Sequence, residues 1–77
     1  MEIKVLGTGC TKCKNLEKLT QEAVEMAGIT ANITKVEDIM EIMKYGIMAT
    51  PALVIDGKVV VKGRVPSKDE IVSLLKD

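Results

Sequence analysis

Histidine, tryptophan and phenylalanine are all missing from this chain, and Tyr45 is its only aromatic residue. Without histidine, the usual general base and the usual zinc partner of cysteine are gone. Without large rings, the core has to be built from Ile, Val, Leu, Ala and Met, with Met expected as flexible filler. Neither sign of charge is in excess, since 11 basic and 11 acidic residues balance and are dispersed. No basic block or aromatic–basic interleaving suggests a nucleic-acid partner. No apolar run approaches membrane-spanning length, and the first residues lack a signal-peptide pattern. The cytoplasm is therefore the expected location, with no membrane partner.

At 77 residues and 47% hydrophobic, the chain is expected to fold as a single globular domain, residues 1–77, near the lower limit for a self-sufficient core. Both cysteines fall in one stretch, Gly7-Thr8-Gly9-Cys10-Thr11-Lys12-Cys13. Two close cysteines in a reducing compartment point to redox chemistry or metal binding rather than to a structural staple. The stretch follows an apolar run, Ile3 to Leu6, and precedes a helical pattern. A helix start has unpaired N–H groups and partial positive charge, which favour a thiolate. Lys12 adds a second cation, and both features lower a cysteine pKa. A fall from about 8.5 to about 7 raises the thiolate fraction at pH 7 from roughly 3% to roughly 50%. This reasoning favours Cys10 as the attacking thiol and Cys13 as the resolving one, with Lys12 tuning the pKa.

Along the chain, Met1 to Leu6 reads as a first, mostly buried strand. Leu16, Leu19, Ala23, Met26 and Ala27 then recur at helical spacing, predicting a helix from about Thr11 to Ala27 that stops at Gly28. Ile29 to Val36 alternates with polar residues, as an edge strand does. Glu37 or Asp38 opens a second helix whose Ile39, Ile42 and Met43 share a face, with Tyr45 expected half-buried at its end. Residues 47–51 read as a loop, because proline cannot join a central ladder. Asp56-Gly57 between Ala52–Ile55 and Val59–Val61 predicts an antiparallel hairpin that ends at Gly63. Ser67 and Glu70 form a capping-box signature before a third helix. The element order is βαβαββα, an α/β fold with a four-stranded mixed sheet flanked by helices.

This pattern resembles the thioredoxin-fold superfamily, in particular its small thioredoxin-like and glutaredoxin-like redox-active disulfide proteins. The resemblance rests on Cys10-Thr11-Lys12-Cys13 between first strand and first helix, on Ala49-Thr50-Pro51-Ala52 before the hairpin, and on Asp56-Gly57-Lys58 followed by Gly63. It implies a minimal thioredoxin fold and a thiol–disulfide oxidoreductase that carries no cofactor beyond a redox-active Cys10–Cys13 disulfide. It further implies a cis Pro51 against the disulfide, with Thr50 offering backbone groups to an extended substrate. The implied partners are a disulfide-containing protein and a reductase or thiol donor, with the protein itself acting as a monomer. Gly9 stands where thioredoxins have an aromatic, Thr11-Lys12 replaces a proline-containing pair, and the Gly-rich glutathione segment of glutaredoxins is absent.

One alternative uses the same thiols. The Gly7–Cys13 loop also resembles that of heavy-metal-associated copper domains, and two thiolates suit Cu(I). Those domains run βαββαβ and end on a strand, whereas this pattern ends on a helix. An inert structural disulfide is the third reading.

Overall fold

The computed structural model describes residues 1–8, 11–47 and 50–76. The elements are β1 (Glu2–Leu6), α1 (Thr11–Ala27), β2 (Asn32–Val36), α2 (Ile39–Lys44), β3 (Ala52–Ile55), β4 (Lys58–Lys62) and α3 (Lys68–Lys76). They reproduce the predicted βαβαββα order. The sheet runs β2-β1-β3-β4, with β1 parallel to β2 and antiparallel to β3, and β3 antiparallel to β4.

Alternation along the two central strands divides the apolar side chains between two faces. Ile3 and Val5 of β1, Leu53 of β3 and Val61 of β4 meet Leu16 and Ala23 of α1 and Ile71 and Leu75 of α3. On the opposite face Leu6, Ala52 and Val54 meet Ile42 and Ile47, with Val36, Tyr45 and Val59 packed alongside. The first face is covered by two helices and the second by the six-residue α2.

Asp56 and Gly57 both take positive φ, +50° and +81°, as a two-residue hairpin turn of the favoured twist requires. The β3–β4 register then slips between Leu53 and Val54: Val54 pairs with Val59, but Leu53 pairs with Val61. Val60 is the extra residue of a β-bulge. It packs with Val61 against the α1/α3 core while Val59 faces the other way.

Several expectations need correction. The second strand begins at Asn32 rather than Ile29; Ile29 and Ala31 instead pack against the core from the connection. Methionine is not core filler among the described residues: Met26, Met40 and Met43 are 62%, 68% and 62% exposed, and Met1 is exposed as well. In α1 the buried stripe is Cys13, Leu16, Thr20 and Ala23, which leaves Met26 one turn past its last member. Thr20 belongs in that stripe because its hydroxyl donates to the Leu16 carbonyl at 2.7 Å. In α2 a helix of six residues offers the sheet one inward position, and Ile42 fills it. The capping box is half formed. The Glu70 N–H donates to Ser67 Oγ at 3.2 Å, but the Glu70 carboxylate is held by Arg64. Tyr45, by contrast, is half-buried at the end of α2 as expected, and its hydroxyl accepts a hydrogen bond from Lys4 Nζ at 3.0 Å.

Candidate active site

Topology gathers four connections at one end of the sheet. β1 and β2 run parallel, so their carboxyl ends lie together, and α1 and α2 start from that end. Leu6 is in register with Ala52 and Ala52 with Lys62, so the entry to β3 and the exit from β4 are there too. The crevice outside the carboxyl ends of parallel strands is where α/β sheets tend to bind ligands.

Helix α1 begins at Thr11, where the sequence predicted. Its first turn contains Lys12 and Lys14 and no acidic residue. Cations there oppose the helix dipole, the reverse of the usual preference for acids. Lys12 is exposed, whereas Cys13 is only 1% exposed and heads the inward stripe. Cys10, the predicted attacking thiol, lies outside the described residues.

Thr50–Pro51 is a cis peptide bond, as the sequence resemblance implied. Pro51 is buried, and its carbonyl accepts the Gly63 N–H at 2.9 Å. The β4 exit is thereby tied to the entry of β3. Thr50 is exposed and shares an open, mostly apolar groove of about 340 Å³ with Thr8, Ile39, Ile42, Met43 and Ile47. The β1 exit, α2 and the Pro51 loop thus contribute to one surface. Thr50 and Pro51 lie at the same end of the sheet as Cys13 and Lys12.

A family model for the thioredoxin domain matches residues 1–76. The chain belongs to the thioredoxin family. It is 43% identical over 75 residues to a thioredoxin from Methanothermobacter thermautotrophicus, covering 97% of each chain. It is also 40% identical over 74 residues to a thioredoxin from Methanocaldococcus jannaschii, covering 96% of this chain and 85% of that one. With the family comes its class of chemistry, disulfide oxidoreduction. The element order, ending on α3, departs from the βαββαβ order expected of a copper domain. Among the described residues no helix is long and apolar enough to cross a membrane.

A charged cluster links β2 to the early part of α1. Lys35 on β2 bonds Glu37 at 3.1 Å and approaches Glu17, one turn beyond Cys13 on α1, at 3.9 Å. Glu37 chiefly, then Glu17, holds the Lys35 ammonium above the ordinary lysine range, and Cys13 acts in the same direction. Sequence reasoning missed Lys35, because a lone lysine on an edge strand gives no signal. It also missed the groove, although the shared face of Ile39, Ile42 and Met43 was visible in the spacing.

The segment that carries Gly63 is braced by Arg64, whose guanidinium bonds both carboxylate oxygens of Glu70. That hydrogen bonding holds the Glu70 carboxyl below its ordinary value of 4.5. A carboxyl depressed in the folded state adds stability above its unfolded pKa and loses it as pH falls through the folded one. Both side chains are exposed to solvent, so the effect is small and screened by salt. The urea midpoint of the wild type is accordingly expected to fall slightly more than that of Glu70→Gln below about pH 4.5. Parallel curves in low salt would remove the pair from the stability account.

Proposed function

We propose that this thioredoxin-family protein reduces protein disulfides through Cys10 and Cys13, with Cys10 attacking and Cys13 resolving. The observation that carries the assignment is the seat of Cys13. A thiol 1% exposed in the first turn of α1 is poorly placed to meet a bulky substrate first, which suits the resolving role. Lys12 and Lys14 supply the positive charge that a thiolate needs, at some cost to the helix.

In the reaction the Cys10 thiolate attacks one sulfur of the substrate disulfide, and the other sulfur leaves as a thiolate. A mixed disulfide between Cys10 and the substrate results. The Cys13 thiolate then attacks the Cys10 sulfur, the substrate leaves as its second thiolate, and the Cys10–Cys13 disulfide remains. The dithiol has lost two electrons and the substrate has gained them. A reductase or thiol donor returns the protein to the dithiol state, and no cofactor beyond the cysteine pair takes part. Thr50 borders the groove in which the substrate segment lies, and the buried Pro51 follows it in the same loop. The protein acts as a monomer in the cytoplasm.

Reduction of a protein disulfide by dithiothreitol tests the reading. The expected rate rises in proportion to the amount of this protein added. A rate no higher than that of dithiothreitol alone would contradict it.

A further inference from the structure

Gly7 follows β1 directly and is buried, and its N–H donates to the Val36 carbonyl at 2.9 Å, continuing the β1–β2 pairing. It is not among the glycines of positive φ. Its backbone conformation therefore does not call for glycine. The space around it does. A β-carbon placed on Gly7 would lie 2.9 Å from the Cys13 Cβ and closer still to its Sγ. Carbon atoms in contact normally stand about 3.5–4.0 Å apart. The Cys13 side chain thus occupies the room that any side chain at position 7 would need. Neither partner retreats easily. Gly7 is held by the sheet, and Cys13 by a helix whose Leu16, Thr20 and Ala23 are fully buried.

We propose that Gly7 is a positioning residue for disulfide exchange: its missing side chain sets the depth at which the Cys13 sulfur sits, and so the rate at which Cys13 closes onto Cys10. The proposal rests on the two cysteines being the redox pair. An added methyl group forces the first turn of α1 or the thiol itself outward. The resolving attack needs one sulfur aligned with another, and a misplacement of about 1 Å can cost about a hundredfold in rate.

The probe is dithiobis(nitrobenzoate), an aromatic disulfide that releases a coloured thiolate at each exchange. Cys10 attack releases the first equivalent and forms the mixed disulfide. Cys13 attack releases the second, leaves Cys10–Cys13 oxidised and gives the Cys13 proton to solvent. In Gly7→Ala the first release is expected at the wild-type rate and the second at least about tenfold slower. Equal second releases in wild type and folded Gly7→Ala would overturn the proposal. Urea unfolding supplies an independent arm. Gly7→Ala is expected to lower the midpoint strongly when Cys13 is present and little in a Cys13→Gly background. Equal losses in both backgrounds would mean that Gly7 serves something other than Cys13. If Gly7→Ala alone does not fold, folding of Gly7→Ala/Cys13→Gly supports the proposal, and its failure, with Cys13→Gly folded, overturns it. A wild type that releases only one equivalent would defeat the redox reading itself, and the unfolding arm would still decide the packing claim.

Discussion

Cys13→Ser is expected to accumulate covalent adducts with disulfide substrates, while Cys10→Ser accumulates none. With Cys13 absent, the mixed disulfide formed by Cys10 has no internal thiol to break it, and its lifetime then depends on external thiol. Serine keeps the size of the side chain, so the packing against Gly7 survives the change. Cys10→Ser leaves only a thiol that is 1% exposed, which meets bulky substrates slowly. Both variants are expected to lose essentially all dithiol-driven turnover, and they differ in what remains bound. Non-reducing gels with intact-mass analysis distinguish them. Adducts on Cys10→Ser, with none on Cys13→Ser, would reverse the assigned roles.

The second large effect concerns stability. Leu53→Ala is expected to cost about 2–5 kcal/mol, the range for removing a buried leucine side chain from a core. Leu53 is fully buried on central strand β3, in register with Val5 on one side and Val61 on the other. It belongs to the core beneath α1 and α3 and cannot be replaced by movement of a surface group. A 77-residue domain is expected to have roughly 4–12 kcal/mol of stability in total, so the loss is a large share of it. Each kcal/mol lowers Tm by about 4–8 °C in a domain of this size. Met43→Ala, at a residue 62% exposed, is expected to stay within about 0.5 kcal/mol of wild type. Thermal and urea unfolding of both variants check the pair. A loss below about 1 kcal/mol for Leu53→Ala would contradict the packing described.

Which features the sequence announces follows from how local their causes are. Asp56-Gly57 fixes its hairpin because positive φ is demanded and tolerated at those two residues. The ends of α1 are set by Gly28 and by the glycine-rich stretch before Thr11, and both are local as well. The bulge at Val60 is hidden because Val59-Val60-Val61 is uniform, and no alternation marks which valine is extra. The exposure of Met26, Met40 and Met43 is hidden for a different reason. Periodicity says which residues share a face but not whether the fold has a surface to cover that face. For Met40 and Met43, the six-residue α2 offers the second side of the sheet one inward position, Ile42, and Met26 lies past the last buried position of α1. The reciprocal half of the capping box is lost to competition. Arg64 offers the Glu70 carboxylate two charged hydrogen bonds, against one from the Ser67 N–H.

The candidate site divides in the same way. Cys10, Cys13 and Lys12 stand out by spacing and charge, and Thr50-Pro51 by its place before the hairpin. Gly7 looks like any other member of a glycine-rich turn. Its role emerges only when α1 is laid over the end of β1 and the Cys13 sulfur is found in the space a side chain would fill. Contacts between residues from different elements leave no mark in a single sequence.

The central claim is that Cys10 and Cys13 form one reversible dithiol–disulfide couple. An equilibrium titration of the protein in graded dithiothreitol redox buffers, read by thiol labelling and mass, with and without Cu(I), tests it most directly. The expected result is a single two-electron transition in which both thiols are lost together, near the potentials of known thiol carriers at about −200 to −270 mV, and unchanged in form by trace copper. Two thiols that stay reduced across the whole range, with tight one-to-one binding of Cu(I), would contradict it and give the cysteines to the metal.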